Sequence, residues 1–219
     1  MSLLKTPLMF YTTSMNIPEV RIKYAWLLAN AASTVMNEKY GDGTPLRSFD
    51  AYTAIAGQYE TWWRPHNDQI LTQLCDILQL QFRQNIIDVN VAPWFTPISD
   101  PMTIGPGFKT ANELVNTLAH EIIHRLITDN TTYDYDYDFV TQWREMFGDD
   151  HAENTLIHIP VHATMQALYT NIDRPDLLEL DIQQCEQYPD YKAAWEYVTH
   201  VGYKEIMYKL THASANQLQ

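Results

Sequence analysis

Cysteine is nearly missing from this 219-residue chain, which carries two. Cys75 and Cys185 sit in segments of helical pattern without CxxC spacing, which argues against a thiolate metal cluster and a disulfide-stapled secreted scaffold. Both are expected to be buried free thiols. Basic residues are also scarce, with 14 Lys and Arg against 27 Asp and Glu and a net charge of -13. That balance lacks the clustered cations on which binding to a phosphate backbone depends, so no nucleic-acid partner is expected. No run approaches the roughly 18 apolar residues of a membrane span, so no membrane partner is expected either. The first residues, MSLLKTPLMFYTTSMN, hold one Lys and an apolar stretch cut by Pro7, unlike a signal peptide, and the expected location is cytoplasmic. Internal repeats, low-complexity tracts and linkers are absent from the pattern.

What is present suits a folded domain: 46% hydrophobic and 19% charged residues can bury a core. From Ile17 to Gly43, Val20, Tyr24, Leu27, Leu28, Ala31 and Val35 recur at helical spacing, with Pro18 in the first turn, and predict an amphipathic helix. A second helix is expected over 64–85. The alternation of Ile87, Val89 and Val91 with Asp88, Asn90 and Ala92 predicts a half-buried strand. Proline and glycine then make 96–110 irregular, with a short extended piece at Met102–Gly105. Thr110 begins a helix as its N-cap, with Glu113 as capping-box partner. Further helices are expected at FVTQWREMF, ended by Gly148, and at ENTLIHIPVHATMQALYTNI, where Pro160 marks a start or a kink. Two or three more follow before a frayed tail, ASANQLQ. The fold class is therefore α+β and predominantly helical, as one domain over 1–219. Its parts are a helical portion over about 1–85, a strand and site core over 86–170, and helices over 171–212.

Within the helix after Thr110 lies LAHEIIHRL. Positions i and i+4 share one helix face, so the imidazoles of His120 and His124 can reach a single ion. Zinc takes imidazole nitrogen at about 2.0–2.1 Å, which suits that spacing. Glu121 points elsewhere and can instead take a proton from an activated water and pass it to a leaving amine. Leu114, Leu118, Ile122 and Leu126 make the helix apolar, so its titratable groups need partners. A shared ion supplies one.

HEIIH on an apolar helix, preceded by a strand and a Gly- and Pro-bearing loop, resembles the zincin metallopeptidases over about 90–130. It also resembles, more loosely, small phage and bacterial metallopeptidases. The resemblance implies a zincin-like fold with a small sheet beside the motif helix, zinc on His120 and His124, and Glu121 as general base. It also implies a peptide or protein substrate aligned along an edge strand, for which IDVNVA is the candidate. Ile127 and Asn130 stand where the metzincin pattern requires Gly and a third His, which excludes that subgroup.

A catalytic zinc takes three protein ligands and keeps one open position. Downstream, DDHAENTLIHIPVHA offers His151, Glu153, His158 and His162. Glu153 is the gluzincin-like choice, although with Asp150 it also forms a capping pair. His158 is the alternative, one turn from His162, so that one binds metal while the other orients a ligand or steadies an oxyanion as a catalytic residue. Asp129 or Asp149 is expected to hold a ligand histidine from behind. Among TTYDYDYDF, Tyr133, Tyr135 and Tyr137 are candidate donors to a reaction intermediate. Asp134, Asp136, Asp138 and Glu145 imitate calcium-loop positions, but Phe139 stands where that loop needs Gly. TWWRP and YKAAWEYVTHVGYKEI are expected to pack the interior, the latter at the back of the domain. A zinc-dependent peptidase is the leading expectation; the alternative is a non-catalytic acidic interaction protein with a structural ion or none.

Overall fold

Between Glu19 and Tyr24 exposure alternates residue by residue, with Val20 and Ile22 buried and Glu19, Arg21 and Lys23 exposed, the period of a strand. The structure is a computed structural model that describes residues 16–40, 47–131 and 139–217. It replaces the single helix expected from Ile17 to Gly43 by strand β1 (Glu19–Tyr24) and helix α1 (Trp26–Tyr40). Parallel pairing with β2 (Ile86–Val91), in register from Glu19↔Ile86 to Tyr24↔Val91, fixes the strand conformation. In α1 the spacing that suggested a core face misleads, because Leu27 and Val35 are 68% and 58% exposed.

Two short strands complete the sheet: β3 (Ile98–Ser99) and β4 (Met102–Ile104), in the order β1-β2-β4-β3. β4 lies parallel to β2, and β3 antiparallel to β4. The extended piece expected at Met102–Gly105 is thus β4 and its exit. β2 is not the edge strand expected of it, since β1 and β4 flank it. The edges are β1 and β3. The side chain of Glu60 accepts the Ile22 N–H at 3.0 Å and so covers the middle of β1. One face of the sheet is apolar, through Val20, Ile22, Ile87, Val89 and Val91. On the other, Asp88 pairs with Arg21 and Lys23 at 3.3 and 2.6 Å.

Helices pack on the apolar face. α2 (Phe49–Trp63) buries Tyr59 and Trp63, and α3 (Asn67–Leu78) buries Ile70, Leu71 and Leu74 before Gln79 ends it at φ 56°. α4 (Ala111–Asn130) starts as its sequence predicts: Thr110 Oγ accepts the Glu113 N–H at 3.2 Å, and Glu113 accepts the Lys109 N–H at 2.7 Å. Thr110→Ala should cost about 1 kcal/mol in urea unfolding, and an unchanged midpoint would show that this cap contributes nothing. Leu114, Leu118, Ile122 and Leu126 are fully buried along α4.

α5 (Phe139–Phe147) ends at Gly148, whose φ of 102° favours glycine. α6 (Glu153–Asn171) is buried on almost every side, the pattern of a central helix. Pro160 lies in its interior, not at its start, where it lacks the N–H that would bond the Leu156 carbonyl. α7 (Pro175–Cys185), α8 (Pro189–Val201) and α9 (Tyr203–Gln217) follow, the last running into the tail expected to fray. One apolar cluster extends from Val20 through α4 and α6 to Leu210, and Trp63 lies inside it. Cys75 and Cys185 are buried and free, as expected. Among the described residues no helix is long and apolar enough to cross a membrane. Tyr133, Tyr135, Tyr137 and the calcium-like acids at 134, 136 and 138 lie outside the described residues.

Candidate metal centre

α4 and α6 face one another, and each carries two histidines one turn apart. His120 and His124 on α4 bring their Nε2 atoms to 3.2 Å, and His124 Nε2 lies 3.3 Å from His158 Nε2 on α6. The three ligand atoms all fall within 4.8 Å of one another. A tetrahedral ion with metal–nitrogen bonds of about 2.0 Å requires nitrogen–nitrogen edges of about 3.3 Å. The two measured edges match that figure.

Protons alone satisfy this cluster poorly. His158 Nδ1 donates to the Asn154 carbonyl at 2.6 Å, because a carbonyl only accepts, and a neutral His158 ring then turns a bare Nε2 towards His124. His124 Nε2 faces two ring nitrogens and has at most one proton to give. Protonating the rings is opposed as well. Burial, then the neighbouring imidazoles, hold His120 well below its ordinary value, and the same causes hold His124 at about 3. Burial chiefly lowers His158 to about 4, partly offset by the Asn154 carbonyl. Three neutral imidazoles with converging Nε2 atoms are the donor set that zinc accepts.

Glu121 lies beside His120 and is 8% exposed. Burial pushes its carboxyl up to about 7; a cation at the histidines would oppose that rise. It lines a cleft of about 390 Å³ together with His120, Thr96 and Pro97 before β3, Asn116 and Thr117 on α4, and Asp181, Gln184, Cys185, Gln187, Tyr188 and Tyr191 from the α7–α8 side. Burial, then the charge of Glu121, raises the Tyr191 phenol.

The site residues predicted from sequence divide clearly. His120, His124 and His158 meet at the centre, and Glu121 lines the cleft beside His120. Glu153 does not: its side chain is 64% exposed and pairs with Arg144 at 3.0 Å, so the gluzincin-like choice of third ligand is corrected. The capping pair with Asp150 is also absent, since Ala152 is the N-cap and makes no side-chain cap bond. His151 packs against Tyr197 instead. His162 lies one turn deeper than His158, fully buried and outside the cleft lining, so a catalytic contact with substrate is not open to it. Its Nδ1 lies 3.3 Å from Asp181 and its ring stacks on Trp195.

The expected carboxylates behind the site are corrected too. Asp129 is held by Arg125 and Gln84, and Asp149 is exposed. The buried carboxylate near the site is Asp181, beside His162: it is 3% exposed and accepts from Asn116 Nδ2 at 2.9 Å and Trp195 Nε1 at 3.0 Å. Asn116 in turn accepts from the Tyr169 hydroxyl at 2.8 Å. Asp181, Asn116 and Tyr191 all escaped the sequence reading. Asn116 left a signal, because it stands four residues before His120 and eight before His124 on one stripe of an apolar helix. Asp181 and Tyr191 left none, being ordinary polar positions of amphipathic helices. α8, expected at the back, forms a wall of the cleft. No family model, curated protein or solved structure matches this chain, and the site stands on its own geometry.

Proposed function

We propose that this chain is a zinc-dependent hydrolase of the zincin kind that cleaves peptide bonds. One observation carries the reading: the ring nitrogens of His120, His124 and His158 gather within 4.8 Å, two of their edges at tetrahedral spacing, and the buried carboxyl of Glu121 lines an open cleft with the first of them. His120, His124 and His158 would hold the ion. When bound, zinc supplies Lewis-acid activation of water. Glu121 receives a proton from the attacking water and returns it to the departing nitrogen. His162, Asp181 and Asn116 stiffen the wall behind His120.

A peptide is the substrate best suited to this shape. β3 is an edge of the sheet and its approach, Thr96 and Pro97, lines the cleft, so an extended backbone can run beside it and past Glu121. The cleft contains no Lys or Arg among its lining residues, which disfavours phosphate esters. Zinc analysis of purified protein should return one ion per chain, and zinc absorption-edge spectroscopy should give three imidazoles and one solvent oxygen. A fourth protein ligand, or no zinc uptake, would instead favour an acidic interaction protein.

A further inference from the structure

We infer that a second divalent ion of borderline softness, zinc or cobalt(II), binds beside the first, between His162, Asp181 and His120. The inference goes beyond the hydrolase reading, which uses neither His162 nor Asp181 as a ligand. Ligand atoms of these three residues all lie within 4.8 Å of one another, and all three side chains are buried. Each comes from a different helix: His120 from α4, His162 from α6 and Asp181 from α7. His162 Nδ1 and Asp181 Oδ2 stand 3.3 Å apart. Two bonds of about 2.0 Å to a tetrahedral ion require an edge of about 3.3 Å, so the pair is spaced for one.

Hydrogen bonding leaves that edge without a proton. His162 Nδ1, in a fully buried ring, has no hydrogen-bond partner among the described residues, Asp181 included. Cys185 Sγ lies 3.9 Å from Asp181 Oδ2 and 3.9 Å from His162 Nε2, the other nitrogen of the ring. Its single hydrogen, given to the carboxylate, leaves the sulfur to accept the Nε2 hydrogen, and a neutral His162 then holds Nδ1 bare. Asn116 and Trp195 supply hydrogens to the carboxylate only. A bare nitrogen facing a carboxylate oxygen in a buried space is costly, and a cation between them removes the cost. His120 and Asp181 both line the cleft, which gives an ion a way in.

The order thiol, imidazole, carboxylate is also that of a nucleophilic triad. Cys185 suits that role badly: it is the last residue of α7, where the helix dipole opposes a thiolate, and it is 5% exposed.

The first ion takes the three converging imidazoles, and repulsion between cations that share His120 makes the second bind more weakly. Purified protein therefore carries one ion and takes up the other only from solution.

Equilibrium dialysis of the full chain against rising cobalt(II) should reach two ions per chain. His162→Phe, which keeps an aromatic ring against Trp195, and Asp181→Asn should each stop at one, because loss of a ligand weakens the second step by more than about 100-fold. Electron paramagnetic resonance of the wild type locates the second ion without any substitution. Spins on ions that share a ligand couple, so the two-cobalt protein should give a signal well below twice that of the one-cobalt protein. A wild type that stops at one ion overturns the second site and leaves the first standing. A signal that doubles does the same, since the added ion then sits apart, on the exposed acids of a chain of net charge -13. A second ion retained by both variants also removes His162 and Asp181 as its ligands. A chain that takes up no cobalt overturns both sites.

Discussion

Glu121→Gln should lower peptide hydrolysis by about 10²- to 10⁴-fold while the chain keeps one zinc, the range general-base removal ordinarily produces. Gln matches Glu in size, so the 8%-exposed position stays filled and the cleft keeps its shape. What disappears is the proton acceptor. No described side chain donates to the Glu121 carboxylate, and burial alone lifts it to about 7. The neutral amide removes that desolvation cost, so the unfolding midpoint should hold or rise. Retained hydrolysis would take Glu121 out of the mechanism whatever its neighbours do.

His158→Ala and Glu153→Ala form a pair with opposite expectations. Removing His158 deletes one of the three proposed ligands. Because even outer partners of a metal site change affinity by about 10- to 100-fold, loss of a direct ligand should weaken zinc binding by more than about 100-fold. Glu153→Ala breaks an exposed ion pair with Arg144 and should leave zinc affinity unchanged and stability within about 1 kcal/mol. Competition with a chromogenic chelator measures both affinities. Weak binding in the Glu153 variant and tight binding in the His158 variant would reverse the assignment.

The sequence disclosed α4 well, because every signal there is local: Thr110 caps it, Glu113 answers three residues later, and the motif rides on an unbroken apolar stripe. Local signals misled at 17–43. Val20 to Val35 fits a helical period by accident, while the shorter alternation of Val20 and Ile22 became decisive only through pairing with residues 67 positions away. Between Glu153 and His158 the sequence was undecided, since both stand on one helix within five residues. The choice follows from which face α6 turns to α4, a matter of packing that no spacing within α6 reveals. The α7–α8 wall was hidden for a related reason. Asp181 and Tyr191 acquire meaning from proximity to His162 and His158, and each alone resembles any polar residue on a surface helix.

Glu60 has a consequence beyond tidying one flank of the sheet. By capturing the Ile22 amide it acts as a stopper against a foreign strand docking there, and neighbouring copies are denied the template on which fibrils begin to grow. Strand-like guests are left with the opposite flank, where residues 96–99 lead into the cleft. Neutralising the stopper by Glu60→Leu should make the protein stickier to itself without touching the histidine cluster.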